Sequence, residues 1–302
     1  MVKQLLTIFL IIFWMVTTTT SSLAIDVSVK AFGAKGDGKT DDRLAIQAAI
    51  DSISKAGGGK VRFPEGIYLV TAPNRGKDSK EQLSAASGVT LEGEGMDKSI
   101  IKVADDQGAW AALFGCNRVN DFKMHNLGVD ANGATNKCVP NKPGGNGDNC
   151  THILVRLVNS NNVTIQRCHF FNHSGVWVII CWAGSNLTVD SCLMDRIGGF
   201  TVDFDHSTIY TDNNGPVIIS NNILASKDGP GTLGARTAME IHGSNQKVIN
   251  NKISGFRYGI NVMYRPGHRS GCQTDREPAI HRQYHHWCGL MLCLLVNDSS
   301  GI

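Results

Sequence analysis

A short β-type phrase recurs along most of the chain and constrains its fold more than any other feature. Each copy begins with an aliphatic or aromatic residue and is rich in Asn, Gly, Asp or Ser. The copies occupy residues 91–96, 122–127, 165–170, 189–194, 219–224 and 249–254. Their first residues are 31, 43, 24, 30 and 30 positions apart, and the interval of 43 contains a cysteine-bracketed insert. The underlying period of roughly 24 to 31 residues is typical of solenoids.

These repeats predict one kind of solenoid. Short strands of this composition cannot bury an apolar face alone and must stack on copies of themselves. A helical solenoid would show a periodicity of about 3.6 residues, and leucine-rich repeats would show a fixed leucine spacing; the chain has neither. The sequence therefore predicts an all-β fold, a right-handed parallel β-helix, with five to seven rungs over residues 60–265.

A second set of apolar segments lies between the repeated phrases. It comprises residues 176–180, 202–205, 239–242 and 260–263. Side chains alternate between the two faces of a strand, so the residues predicted to point inward are Val176, Val178, Val202, Phe204, Met239, Ile241, Ile260 and Val262. The residues predicted to point outward are Trp177, Ile179, Asp203, Asp205, Glu240, His242, Asn261 and Met263. We expect these segments to be neighbours in one sheet.

The region before the repeats predicts a short capping helix. Residues 41–55 form an amphipathic pattern that Thr40 or Asp41 would cap and that the glycines at 57–59 would end. Such a helix can cover the first rung, whose open edge would otherwise promote aggregation.

The two ends of the chain differ from the repeats. Lys3 precedes an apolar run over residues 8–16, and a small polar stretch leads to Ala24, as in a secretory signal peptide. A membrane span needs about 20 apolar residues, so this run is too short for one. The sequence predicts a signal peptide (1–24), a β-helix domain (25–267) and an irregular C-terminal tail (268–302). The mature protein is expected to be extracellular and free of the membrane.

Export changes how the nine cysteines are interpreted. Pairing is the default in an oxidising compartment, and Cys138 and Cys150 could close the Gly/Pro/Asn-rich loop between them. Cys168 and Cys192 occupy equivalent repeat positions, and we expect them to stack as buried thiols. Glycosylation sequons, which a eukaryotic host could use, occur at Asn149, Asn162, Asn172, Asn186 and Asn297.

Metal and nucleic acid are not expected as ligands. The chain has no Cys-x-x-Cys spacing, and His169 and His173 lie in a strand-and-turn phrase, where their spacing does not put both rings on one face. The His- and Cys-containing segment 281–288 lies in the tail, without a supporting strand pattern. A net charge of +3 without a basic patch argues against nucleic acid.

The N-terminal region resembles a known family. Residues 32–42 (FGAKGDGKTDD), 45–50 (AIQAAI) and 57–68 (GGGKVRFPEGIY) are similar to the N-terminal module of pectate-lyase-superfamily right-handed parallel β-helix proteins. These include the rhamnogalacturonase/epimerase-like group and, more distantly, polygalacturonases. With the repeats, the resemblance covers about residues 26–265. It implies the fold but not the reaction, because the module occurs in hydrolases, lyases, epimerases and phage tailspikes.

The resemblance transfers no catalytic residue. The polygalacturonase motifs Asn-Thr-Asp, Gly-His-Gly and Arg-Ile-Lys are missing, and the Asp41–Asp42 pair lies in the N-terminal module rather than on a central rung. The Asp-Pro-His motif of mannuronan epimerases is also missing, and Asp205–His206 matches it only in part. We expect Asp37, Thr40, Asp41 and Asp42 to be turn and cap residues.

The outward residues of the second set give an independent prediction for the site. Neighbouring strands lie about 4.8 Å apart, and residues two apart on one strand lie about 6.5 Å apart. The predicted catalytic residues, which would share one patch, are Asp203, Asp205, Glu240 and His242. The predicted substrate-binding residues are Trp177 as a sugar-stacking platform, with His206, Arg156, Arg236 and Arg257 nearby.

Such a patch could support two reactions. Hydrolysis needs one protonated and one ionised carboxyl group, and crowded like charges raise the pKa of one of them. β-Elimination would instead use the acidic cluster to hold Ca²⁺ against a uronate carboxylate, with Arg or His as the base. We expect a monomeric secreted enzyme that cleaves a pectin-type, uronic-acid-containing polysaccharide without a cofactor, with hydrolysis favoured. The alternatives are a lyase or C5-epimerase with a cation site, and a non-catalytic carbohydrate-binding or tailspike-like protein.

Overall fold

The computed structural model describes most of the repeat region. The described residues are 25–72, 81–107, 112–136, 152–199, 206–213, 215–226, 233–234, 237–243 and 245–263. The predicted signal peptide, the predicted tail and the loop between Cys138 and Cys150 lie outside them, as do Asn149 and Asn297. Those predictions, and glycosylation and disulfide formation with them, stay predictions.

The chain alternates short strands with tight turns. It starts with β1 (Ile25–Ser28), a 3-10 helix (Val29–Phe32), β2 (Asp37–Asp41), the helix α1 (Arg43–Lys55), β3 (Gly59–Phe63), β4 (Gly66–Val70), β5 (Leu83–Ser84), β6 (Val89–Gly93), β7 (Ser99–Val103) and β8 (Phe114–Asn117). It continues with β9 (Lys123–His125), β10 (Gly128–Asp130), β11 (Ile153–Val158), β12 (Asn161–Gln166), β13 (His169–Phe171), β14 (Trp177–Trp182), β15 (Ser185–Asp190) and β16 (Leu193–Gly199). The last strands are β17 (Ser207–Asn213), β18 (Val217–Ser220), β19 (Ile223–Ser226), β20 (Leu233–Gly234), β21 (Thr237–Gly243), β22 (Gln246–Ile249), β23 (Lys252–Ser254) and β24 (Tyr258–Met263). No helix within these ranges combines the length and the hydrophobicity that a membrane span requires.

The strands form three sheets that coil around one core. Sheet A is β1-β3-β6-β9-β12-β15-β18-β22, and sheet B is β2-β4-β7-β10-β13-β16-β19-β23. Sheet C is β5-β8-β11-β14-β17-β21-β24. All pairs along these orders are parallel, while β20 pairs antiparallel with β16 at the margin of sheet B. From β3 onward the described residues give seven strands to sheet A and seven to sheet C, which confirms the predicted right-handed parallel β-helix and its rung number.

The repeated phrase forms one corner of each turn. In the copy at 189–194, β15 ends at Asp190, a two-residue turn follows, and β16 starts at Leu193. The equivalent turn residues Asn126, Arg167, Ser191, Asn221 and Asn250 have φ between 50° and 56°. Asn adopts this left-handed conformation more readily than most L residues do, so the turn explains why the phrases are rich in Asn.

Apolar residues on both sides of this corner stack from rung to rung. The largest fully buried side chains include Tyr68, Phe63, Phe114, Phe122 and Phe170. Cys168 and Cys192 are buried in the same core, and neither forms a disulfide. Their prediction as stacked buried thiols is confirmed. Cys116 and Cys181 are also buried and unpaired.

Helix α1 covers the first rung, as predicted, but its start differs from the prediction. Ile46, Ala49, Ile50 and Ile53 are fully buried against the β-helix, and Ala56 ends the helix before the glycines. The residue before the first helical turn is Asp42, whose carboxylate accepts hydrogen bonds from the backbone N–H groups of residues 35 and 36 at 2.6 and 2.9 Å. Thr40 and Asp41 therefore do not occupy the cap position, but the carboxylate of Asp41 accepts a hydrogen bond from the backbone N–H of Arg43 at 3.1 Å, as a capping side chain does.

The second set of segments forms sheet C, with one correction to the predicted strand order. The strand that pairs with both β14 and β21 is β17, Ser207–Asn213, and not residues 202–205. Asp203 and Asp205 lie outside the described residues, and the residues opposite Glu240 and His242 are Tyr210 and Asp212. In β14 the prediction is also wrong at Ile179, which lies in the core together with Val178 instead of pointing outward.

Candidate active site

The outer face of sheet C carries the candidate site. Strand register places one line of residues across four strands, with Arg156 on β11, Ile180 on β14, Tyr210 on β17 and Glu240 on β21. Asn261 on β24 continues this line. We call these residues the sheet C row. They face outward because their neighbours along each strand fill the core.

Glu240 and His242 form the polar centre of this face. They are two residues apart on β21, so both project from the same side of the sheet. Nε2 of His242 lies 2.9 Å from Oε1 of Glu240, and the hydroxyl of Ser207 donates to Oε2 of Glu240 at 2.6 Å. These bonds fix the orientation of the carboxylate. The sequence predicted Glu240 and His242 as neighbours, and the structure brings them together.

The hydrogen bond to Glu240 assigns a role to each ring nitrogen of His242. A neutral imidazole that donates through Nε2 carries its lone pair on Nδ1. This Nδ1 atom is buried and has no hydrogen-bond partner among the described residues. The pair therefore places a partly exposed, oriented carboxylate beside a neutral imidazole, and both kinds of group act in general acid–base catalysis.

Aromatic rings enclose the other side of this pair. The ring of Tyr210 lies against that of His242, with their centroids 4.9 Å apart. Trp177 and Trp182 contact Tyr210 edge-on at 5.8 and 6.3 Å, and together with Ile180 they form an apolar cluster that is separate from the main core. Aromatic faces of this kind are suited to stacking on sugar rings. Trp177 is thus placed as predicted, whereas the sequence did not indicate Trp182, Tyr210, Asp212 or Ser207.

The predicted arginine ligands occupy different places. Nη1 of Arg156 donates to Oε1 of Glu81 at 2.7 Å at one end of the sheet C row. Arg257 is exposed, with its guanidinium 5.5 Å from the centroid of the Tyr258 ring at the start of β24. Arg236 lies outside the described residues.

His206 does not lie on the outer face. It is fully buried, with its ring centroid 6.0 Å from that of His173, which is also fully buried. Burial lowers the pKa of His206 to about 3, so its imidazole is neutral. In this position His206 cannot contact a substrate on sheet C, contrary to its prediction as a binding residue.

The alternative of a lyase or epimerase with a cation site would need several metal ligands on this face. No group of three or more His, Cys, Asp or Glu side chains that could hold a metal ion occurs among the described residues. Ca²⁺ takes six to eight oxygen ligands, and both oxygens of Glu240 already accept hydrogen bonds. Asp203 and Asp205, the other carboxylates of the predicted cluster, lie outside the described residues.

The coiled sheets and this outward face define a polysaccharide-related parallel β-helix of the pectate-lyase type. Residues 26–261 match the family described as "Rhamnogalacturonase A/epimerase, pectate lyase-like", and the chain belongs to this family.

Bacterial relatives share part of this sequence. The chain is 36% identical over 205 residues to the mannuronan C5-epimerase AlgE6 of Azotobacter vinelandii, a match that covers 63% of this chain and 22% of that protein. It is 41% identical over 112 residues to alginate lyase 7 of the same organism, covering 36% of this chain and 13% of that protein. The chain thus corresponds to less than a quarter of the length of either relative.

Solved structures share the fold. A mutant tailspike protein of E. coli bacteriophage HK620, in complex with a pentasaccharide, aligns with a TM-score of 0.63 at 19% identity, covering 78% of this chain and 41% of that chain. PfbA, a surface adhesin of Streptococcus pneumoniae, aligns with a TM-score of 0.55 at 23% identity, covering 75% of this chain and 56% of that chain. At these identities the likeness concerns the fold alone.

Proposed function

We propose that this protein is a secreted, monomeric enzyme that acts on a uronic-acid-containing polysaccharide. The observation that carries the proposal is the Glu240–His242 pair, which is oriented by Ser207 and flanked by Tyr210 on an outward sheet face. Glu240 is 20% exposed, so its carboxylate is within reach of a polymer lying on sheet C. The names of the relatives, a mannuronan epimerase and an alginate lyase, support the substrate class.

The geometry favours abstraction of the proton at carbon 5 of a uronate. That reaction needs a base that removes the proton, and His and Tyr are both suited to this role. Tyr210 and His242 are in ring contact on one face of sheet C, so both would approach a bound sugar from the same side, and Glu240 orients the imidazole. Loss of the glycosidic oxygen from carbon 4, protonated as it leaves, would make the protein a lyase, whereas delivery of a solvent-derived proton to the opposite face of carbon 5 would make it an epimerase.

Hydrolysis is the second candidate reaction. It requires two carboxyl groups, about 5 Å apart in a retaining enzyme or about 6.5 to 9.5 Å apart in an inverting one. Glu240 would be one, and Asp203 or Asp205 the other, as predicted from the sequence. Among the described residues, Asp212 is the carboxylate-bearing residue closest to Glu240 in the strand register, because it lies opposite His242.

One set of incubations separates these reactions. The full chain is incubated with alginate, polygalacturonate and a neutral glucan in D₂O and in H₂O. Deuterium at carbon 5 without chain cleavage indicates an epimerase, and ultraviolet absorbance from an unsaturated uronate indicates a lyase. New reducing ends without that absorbance indicate a hydrolase. Binding without any turnover would contradict the enzyme proposal and favour a carbohydrate-binding protein.

A further inference from the structure

Arg156 and Glu81 form an ion pair at one end of the sheet C row. Nη1 of Arg156 and Oε1 of Glu81 are 2.7 Å apart, and the two side chains are 32% and 26% exposed. Arg156 is in register with Ile180, and through it with Tyr210 and Glu240. The ion pair therefore lies on the same face as the candidate active site and is open to solvent.

Gly115 provides the space that Glu81 occupies. It is the neighbour of Arg156 on β8, and a Cβ atom built on it would lie 1.8 Å from Cγ of Glu81. A side chain at position 115 would push Glu81 away. The backbone of β8 thus allows a carboxylate to lie across the sheet and reach the Arg156 guanidinium.

We infer that Arg156 binds the carboxylate of a uronic acid residue of the substrate and that Glu81 is an internal competitor for the same guanidinium. The inference rests on the proposed function, because it concerns the same polysaccharide. A guanidinium has five N–H donors and can bind a carboxylate through two parallel hydrogen bonds. A substrate carboxylate bound in this way would replace an exposed ion pair, which contributes little free energy in water.

The strand spacing determines which sugar would reach Arg156. Three strand spacings separate Arg156 from Glu240, a distance of about 14 Å along the row. A pyranose unit in an extended chain is about as long as one such spacing. Arg156 would therefore bind the sugar about three units from the reacting one, with Trp177 and Trp182 beside the sugars between them. Oligomers that are too short to span the row cannot contact Arg156 while their reacting sugar lies at Glu240.

Substitutions at the two ends of the ion pair have opposite expected effects. Arg156→Gln removes the positive charge and should weaken the binding of long alginate oligomers about tenfold. Glu81→Gln removes the competing charge and should strengthen it about threefold. Gly115→Ala displaces Glu81 without changing its charge and should act in the same direction as Glu81→Gln. Dissociation constants are measured by titration calorimetry on the full chain.

Arg62→Gln is the matched control. Nε of Arg62 lies 2.6 Å from Asp26 in an exposed ion pair on sheet A, away from the row, so this variant should bind as the unsubstituted chain does. Alginate dimers should respond less to these substitutions than long oligomers do, because a dimer bound at Glu240 cannot reach Arg156. Neutral glucan oligomers should not respond to either charge.

The outcomes separate this inference from the proposed function. If Arg156→Gln and Glu81→Gln weaken binding alike, the ion pair is structural and the inference is wrong. Equal effects on short and long oligomers would also overturn it, as would a lack of binding of alginate and polygalacturonate oligomers by the unsubstituted chain. Binding with the expected pattern but without turnover supports the subsite and contradicts only the enzyme proposal.

Discussion

The Glu240 carboxylate is the residue on which the candidate site depends most directly. Its Oε2 atom accepts a hydrogen bond from the Ser207 hydroxyl, and its Oε1 atom lies within hydrogen-bond distance of Nε2 of His242. The ring of Tyr210 lies against the imidazole. Glu240 is 20% exposed while the side chain of His242 is 6% exposed, so a substrate would meet the carboxylate first. The chemistry therefore depends on the charge of Glu240 and on the imidazole that it orients.

Replacing Glu240 with Gln should remove activity without unfolding the protein. Gln has nearly the same size and can still accept the hydrogen bond from Ser207, but it is neutral and cannot act as an acid or a base. General acid–base groups contribute about 10² to 10⁴ to rate, and we expect a loss of turnover of that order. Turnover on the active polymer is compared with the thermal unfolding midpoint, which should change little.

Glu92→Gln is the control for this substitution. Glu92 is an outward carboxylate on sheet A that pairs with Lys60, so its charge should not affect turnover. Near-normal activity of Glu240→Gln would mean that this patch is only a solvated sheet face and that the site assignment is wrong.

The buried imidazole of His206 should make the stability of the folded protein depend on pH. Its pKa is about 3 in the folded state because it is fully buried, against about 6.5 in the unfolded chain. Protonation therefore favours unfolding, and the stability that the neutral imidazole allows is lost as pH falls from about 6.5 towards 3. The loss should reach about 3 kcal/mol at pH 4. In His206→Gln the urea midpoint should fall less between pH 7 and pH 4; an unchanged pH dependence would contradict this account.

Among the strands, the sequence predicted the repeated phrases correctly but misplaced one strand of sheet C. Sheet C could have been placed correctly from spacing alone, because Trp177, Ser207 and Thr237 are each 30 residues apart and are paired in the structure. The repeated phrases that begin at residues 189, 219 and 249 have the same interval of 30. The apolar residues at 202 and 204 instead suggested a strand there, because a short alternation of apolar and acidic residues is a weak local signal. Tyr210 and Asp212 were missed for that reason.

Side-chain bonds between rungs, which sequence pattern does not predict, stabilise sheet A. Asp190 on β15 accepts from Gln166 on β12 and from Ser220 on β18 at 2.9 and 2.7 Å, and from Asn221 at 2.8 Å. Burial would raise the pKa of Asp190, but hydrogen bonds from these residues and from Ser191 lower it to about 2. One carboxylate thus joins three neighbouring strands.

Asp190→Ala should lower the thermal unfolding midpoint by about 3 to 8 °C at neutral pH, because several donors lose a charged acceptor. The folded-state pKa is about 2 and the reference value is 3.8, so this contribution is present above pH 3.8 and is lost as pH falls through 2. The difference in midpoint between the variant and the unsubstituted chain should shrink over that window. Thr188→Ala, on the same strand and face, is the control, and an equal effect of both substitutions would contradict the prediction.

Sheets A and C of the β-helix contribute differently to the whole molecule. Sheet A carries bonds between rungs, such as those of Asp190, that resist unfolding. Sheet C carries the row from Arg156 to Glu240, where the proposed chemistry lies. A solenoid allows this division because each rung contacts only its neighbours, so one face can change without disturbing the others. The same property makes the end rungs critical, because an uncovered rung exposes strand edges.

Helix α1 covers the N-terminal rung, and we expect it to protect the strand edges there. Ile50 is fully buried between α1 and the β-helix, whereas Leu44 on the same helix is 68% exposed. Ile50→Ala leaves a cavity and should lower the free energy of unfolding by about 2 to 4 kcal/mol, and the thermal midpoint by about 6 to 12 °C. It should also increase aggregation on mild heating, measured by light scattering, because a loosened helix uncovers the first rung. Leu44→Ala should change neither quantity appreciably. If Ile50→Ala lowers the midpoint without added aggregation, α1 contributes stability but does not protect the strand edges.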